Sequence, residues 1–147
     1  SGVVDYIKDY IFDLKLLLVS EDGANLLARK YPIAFSISGK TWVNNHAHVL
    51  KFESKNTQLF VEYYLNAIKL DDYISGMAQP KLNQTKLNSI PIPYPSAERQ
   101  DEIISNLTKL SDLQATTIEN LEKKLKLLSE LKQSILQKAF SGDLLKY

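Results

Sequence analysis

The chain contains no cysteine. That excludes disulfides, thiolate metal sites and a cysteine nucleophile. No run approaches the roughly 18 apolar residues of a membrane-spanning helix. No start joins a charged stretch, an apolar stretch and a small-residue cleavage site. A cytoplasmic protein is the expectation these absences fit. An excess of one charge is also lacking. Eighteen Lys/Arg stand against 17 Asp/Glu, leaving +1 with histidine neutral, so the charge of the whole chain predicts no strong hold on nucleic acid or membrane. There is no G-x-S-x-G, no Walker motif and no G-x-G-x-x-G. Hydrolase, nucleotide-binding and dinucleotide readings therefore have no support, and no cofactor is expected.

Proline and glycine are missing from one long stretch. All five prolines lie at or before Pro95, and no glycine follows it until Gly142. Such a change of composition marks a boundary. The 147 residues are 44% hydrophobic and 24% charged, a globular mixture with room for one small domain and a long helix. We expect an α+β fold: a mixed domain over 1–95, a long helix over 96–141 and a tail over 142–147.

The helix is read from its spacing. Pro95 stops what precedes, Ser96 offers an N-cap, and Glu98 suits the first turn. Leu107, Leu110, Ile118, Leu121, Leu125, Leu128, Leu131 and Ile135 recur at helical intervals. From Ile118 the pattern is a coiled-coil seam, and the step from Leu107 to Ile118 reads as a stutter or kink. A helix of this length cannot bury its stripe on a small domain and needs another helix. The alternative is a hairpin folded back near Ala115-Thr116-Thr117, although no Gly or Pro supplies the turn.

Residues 1–95 alternate short apolar runs with turn signals. Leu14–Val19 reads as a strand, Glu21-Asp22-Gly23 as a turn, and Ile33–Ile37 with Thr41–Val43 as a hairpin around Ser38-Gly39-Lys40. His46–Phe52 reads as another strand. Leu59–Leu70 reads as an amphipathic helix with Leu59, Tyr63, Ala67 and Ile68 on one side. Ile90-Pro91-Ile92-Pro93 must be extended, as an edge strand or a strap.

Local charge says more than net charge. No acid lies between Asp22 and Glu53, a window holding Arg29, Lys30, Lys40, Lys51, His46 and His48. A second acid-free window, from Tyr73 to Ala97, holds Lys81 and Lys86. Within the first window, Lys40, Trp42, Asn44, Asn45 and His46 offer groups suited to bases and phosphates. Asn pairs with adenine, Lys with guanine or phosphate, and Trp packs on sugar or base. Gln79, Lys81, Asn83, Gln84 and Lys86 repeat that chemistry in the second. Each group could equally hold a structural loop. His46 and His48, two apart on a strand, also invite a metal reading, with Asp22 as a third group of a metal-dependent hydrolase. They share their face with Leu50 and Phe52, so core or hydrogen-bonding roles are the simpler reading, and no metal site is expected.

Taken in order, these residues resemble a known family. The run Leu17-Leu18-Val19-Ser20-Glu21-Asp22-Gly23-Ala24-Asn25-Leu26, then Pro32-Ile33-Ala34-Phe35, Gly39-Lys40 and Trp42-Val43-Asn44-Asn45-His46-Ala47-His48-Val49-Leu50, resembles the target recognition domain of type I restriction-modification specificity subunits. Ile74-Ser75-Gly76, Ala78-Gln79-Pro80-Lys81-Leu82-Asn83, Ile90-Pro91-Ile92-Pro93, Glu98-Arg99-Gln100 and the closing Ala139-Phe140-Ser141-Gly142-Asp143-Leu144 continue it. The resemblance implies a non-catalytic reader of one half of a bipartite double-stranded DNA target. It implies helices that pair antiparallel, with a second specificity half or a second copy, and that dock methyltransferase subunits. Methylation and cleavage would belong to those partners. It also implies a domain that begins late, lacking its first segment. On this reading Arg29, Lys30, Lys40, Trp42, Asn44, Asn45, His46, Gln79, Lys81, Asn83, Gln84 and Lys86 contact DNA, and the leucine stripe contacts the partner helix. The competing class is a coiled-coil scaffold whose globular head binds protein only.

Overall fold

The computed structural model describes residues 3–76 and 78–142. The chain divides into two units, the first ending at Ile104 and the second beginning at Ser105. The first unit is α+β, as the sequence predicts. Its order is β1 (Phe12–Asp13), β2 (Leu16–Ser20), α1 (Asn25–Ala28), β3 (Ala34–Ile37), β4 (Lys40–Thr41), β5 (Ala47–Leu50), α2 (Lys55–Ala67), α3 (Gln84–Asn88) and the start of α4 (Ala97–Phe140), with a 3-10 turn over Asp71–Tyr73.

The central strand is β2, flanked antiparallel by β3 and β5. Leu16, Leu17, Leu18 and Val19 are all buried. A strand covered on both faces reads as a continuous apolar run, which is how Leu16–Val19 appears in the sequence. Helix α2 packs on β3 and β2, burying Phe60, Val61 and Leu65. Leu26, Ile33, Leu70, Leu82, Leu87, Ile90 and Ile104 complete the same core.

Several expectations are corrected. Strands β3 and β4 do not form a hairpin. Strand β3 takes β2 as partner, with Leu18 opposite Phe35, while β4 pairs with β1 through Phe12–Thr41 and Asp13–Lys40. Gly39, at φ +80, turns the chain from one sheet to the other. Helix α2 starts four residues before Leu59, because the Ser54 hydroxyl accepts a hydrogen bond from the Thr57 N–H and caps it there. Its buried face is Gln58, Phe60, Val61 and Leu65, whereas Ala67 is exposed. The helix α3 had no expectation. Asn83 caps it, accepting from the Lys86 N–H. The hairpin alternative for the long helix fails, since α4 runs unbroken for 44 residues, about 66 Å at ~1.5 Å per residue. The hydroxyls of Thr116 and Thr117 donate to the carbonyls of Asp112 and Leu113, so the polar stretch is absorbed inside the helix.

The residues Pro91–Ser96 form a strap without ladder partners, held where the Tyr64 hydroxyl donates to the Pro91 carbonyl. Ser96 accepts from the Arg99 N–H and opens α4. In the first turns Gln100 and Ile104 are buried. The Gln100 amide donates to the Pro95 carbonyl and accepts from the Thr57 hydroxyl, which fixes the helix start to the domain. In the second unit, Leu107 is half-buried and every residue from Thr108 to Phe140 is exposed. The expected tail over 142–147 lies, beyond Gly142, outside the described residues.

Candidate nucleic-acid interface

Three separate segments meet at one end of the three-stranded sheet. Strand β2 ends at Ser20, opposite Ala47 at the start of β5. The Glu21 N–H then donates to the His46 carbonyl (2.9 Å), and the Leu82 N–H donates to the Glu21 carbonyl (2.7 Å). The Gly23 N–H donates to the Pro80 carbonyl (3.0 Å). Ser75 and Lys81 exchange N–H···O bonds of 2.9 and 2.7 Å, closing the 75–81 loop on itself. Gly76 makes that closure possible. Its φ is +83, and a Cβ there would lie 2.5 Å from the Gln79 carbonyl oxygen. The two acid-free windows are thus brought side by side by main-chain bonds across the Glu21-Asp22-Gly23 turn.

On this edge Asn44, Asn45, His46, Gln79, Lys81 and Asn83 are exposed. Two of these asparagines also shape the backbone. Asn44 accepts from the His46 N–H (3.1 Å), and Asn83 is the α3 cap. Gln84 and Lys86 follow on α3, exposed, with the Lys86 ammonium 3.5 Å from the Asp72 carbonyl.

The two histidines turn to different partners. His46 Nδ1 lies 2.8 Å from Asp22 Oδ2. His48 Nε2 lies 2.6 Å from the Leu82 carbonyl oxygen. His48 thus pins the 75–83 segment to β5. Among the described residues no three His, Asp or Glu side chains gather as metal ligands would.

Other expected site residues stand elsewhere. Lys30 is exposed on the connection from α1 to β3. Strand β4 belongs with β1, which leads into the start of β2, so Lys40 lies at the opposite end of the central strand from His46. Its ammonium sits 4.9 Å from the Tyr10 ring centroid, a cation–π contact. Trp42, 56% exposed, lies on the return between the two ends.

Arg29 has a different task. It closes α1 in the left-handed region, at φ 51. Its Nη2 donates to the carbonyls of Leu65 (2.8 Å), Asn66 (3.1 Å) and Ile68 (2.8 Å) at the C-terminal end of α2. These acceptors have no partner within the helix, and a cation suits the negative end of the helix dipole. Burial lowers the guanidinium pKa and the nearby Asp71 charge opposes that shift. Reading Arg29 as a DNA contact from charge alone is therefore not supported by its geometry.

Sequence reasoning missed two residues. Asp22, read as a turn residue or as a possible metal or catalytic carboxylate, is the hydrogen-bond partner of His46. Asn66 holds α2 to β3, accepting from the N–H groups of Ile33 and Ala34 and donating to the Ala34 carbonyl. A three-bond amide of this kind has no sequence signal. For Asp22 the signal was available: a carboxylate in a tight turn beside a histidine-bearing strand.

The stripe on α4 is open. Leu110, Ile118, Leu121, Leu125, Leu128, Leu131 and Ile135 all remain exposed, Leu125 at 68%. Flanking ion pairs of i,i+4 type, such as Lys123–Glu119 at 2.7 Å, support the helix only weakly. No described helix is long and apolar enough to cross a membrane.

Comparison with known proteins gives a consistent result. The family model described as type I restriction modification DNA specificity domain matches residues 1–127. A Haemophilus influenzae protein named as a type I restriction enzyme specificity subunit is 34% identical over 113 residues, covering 77% of this chain and 29% of that protein. The Escherichia coli type I restriction enzyme EcoDI specificity subunit is 31% identical over 144 residues, covering 98% of this chain and 29% of that protein. The chain thus spans less than a third of the length of either relative. No solved structure matches it significantly. With a specificity-domain model over most of its length, and both relatives specificity subunits, the chain belongs to the type I restriction-modification DNA specificity family.

Proposed function

We propose that the chain is a non-catalytic DNA-recognition module that reads one half of a bipartite target. The observation that carries this is the meeting of the two acid-free loops on one edge, which brings Asn45 and His46 of the first together with Gln79 and Lys81 of the second. Amide, imidazole and ammonium groups of this kind read base edges, and Lys30 and Lys86 supply phosphate contacts. Family membership supports the same reading. The open stripe of α4 takes a second helix of the same kind, antiparallel, from a second specificity half or a second copy. The paired helices dock methyltransferase subunits, which carry the chemistry.

The test is selection from a random duplex pool at moderate salt, with and without a methyltransferase subunit. A short enriched motif is expected, with affinity falling as salt rises by a log–log slope of roughly −0.9 per phosphate contact. Absence of enrichment in both conditions, with the helix still pairing, would leave a scaffold and refute DNA reading. Lys81→Ala should either relax one base position or weaken all sequences alike, which sorts it between base and phosphate contact.

A further inference from the structure

Resting on the DNA-reading function above, we propose that Asp22 is a positioning residue that fixes the tautomer of His46, making Nε2 a hydrogen-bond acceptor that selects a base bearing an exocyclic amino group. The His46 side chain is 60% exposed, whereas that of Asp22 is 17% exposed. The carboxylate therefore sits behind the ring. It offers only lone pairs, so across 2.8 Å the proton must be on Nδ1. In the neutral ring this leaves Nε2 with a lone pair. Among the described residues Nε2 has no protein partner, and it stands on the edge shared with Lys81 and Gln79. An outward lone pair accepts from adenine N6 or cytosine N4 in the major groove and is repelled by guanine O6/N7 and thymine O4.

The arrangement also explains why an acid is tolerated on a surface that meets a polyanion. Asp22 is tied in twice more by the main chain, through an isolated antiparallel bridge to Lys81 and through its turn neighbours, with Glu21 bonded to His46 and Leu82. Its side chain points at the imidazole, so the group presented outward is a ring nitrogen and not a carboxylate.

The experiment compares selected duplex motifs for the full chain and its His46→Ala and Asp22→Asn variants, each with a methyltransferase subunit. In the wild type one motif position is expected to hold adenine or cytosine. His46→Ala should flatten that position about fivefold, the lower end of the discrimination carried by a base contact, and leave the others. Asp22→Asn keeps the shape but can donate to Nδ1, which puts the proton on Nε2, so the same position should turn toward guanine or thymine. Nitrogen-15 spectra of the free protein provide a second readout. They should show the Nδ1–H form of His46 in the wild type and its loss in Asp22→Asn. An unchanged motif in either variant, or an Nε2–H tautomer in the wild type, overturns the inference while leaving DNA reading intact. A wild-type chain that enriches no motif refutes both.

Discussion

Arg29 separates a structural reading of charge from a functional one. Replacing it with alanine removes the donor shared by the carbonyls of Leu65, Asn66 and Ile68. A hydrogen bond to a charged group contributes about 1.5–3 kcal/mol, and a cation at a helix C-terminus about 0.3–1. The three acceptors share one nitrogen, and Nη1 is buried without a hydrogen-bond partner, which offsets part of the gain. The net loss for Arg29→Ala should be about 2–3 kcal/mol. For a unit of this size that is a fall in Tm of roughly 10–20 °C. Arg29→Gly loses the same bonds but relaxes the left-handed backbone at φ 51, so it should be more stable than Arg29→Ala by about 1 kcal/mol. Urea denaturation followed by near-ultraviolet circular dichroism reports the domain without the contribution of α4. An Arg29→Ala variant within about 0.5 kcal/mol of wild type, a range ordinary for surface substitutions, would refute the capping role. Native stability combined with lost DNA affinity would make Arg29 a DNA contact after all.

The other predictions follow from single features. Gly76→Ala places a Cβ against the Gln79 carbonyl oxygen in a left-handed turn, so the 75–81 loop must open. It should cost more than about 1 kcal/mol and weaken DNA binding, read by melting and by filter binding. Leu125→Asp lies on an exposed face, so the melt of the domain should not move. If the stripe pairs with a second helix, sedimentation should show pairing weakened roughly 100-fold or more, from burial of about 1.5–3 kcal/mol per leucine. Glu98 has its carboxyl pKa lowered by its own backbone N–H and the Ser96 side chain, so the ionised form favours the folded start of α4. That contribution is present above the ordinary glutamate value near 4.3 and is lost as pH falls through the lowered one. Amide exchange in the first turn of α4 should speed up on acidification in the wild type and show a flatter pH response in Glu98→Gln.

The elements legible in sequence are those with a period or a continuous run. Strand β2 and helix α4 qualify, and both stand where expected apart from one or two residues at their ends. What escaped is non-local. Strands β1 and β4 have two residues each, too few for any pattern, and only the fold decides that Lys40 faces Asp13 and not β3. The start of α2 was legible in principle from Ser54, but the apolar count began later. Candidate residues were picked by type, and type alone does not distinguish Arg29, turned to a helix end, from Lys81, presented on an edge. Asn44 and Asn83 illustrate a known ambiguity, since asparagine that reads a base and asparagine that caps a backbone look alike in sequence, and both are seen here holding backbone.

The edge that gathers Asn45, His46, Gln79 and Lys81 is joined chiefly through backbone amides and carbonyls, at Glu21–His46, Glu21–Leu82 and Gly23–Pro80. Peptide groups are the same whatever side chain they carry. The mount is therefore indifferent to most exchanges of the outward residues, while Gly76, His48 and Asn83 hold the frame in place. On the proposed DNA-reading function, a new target preference would arise by changing a few exposed letters, one position at a time, without refolding the domain. The module behaves like movable type, with a fixed bed and interchangeable faces.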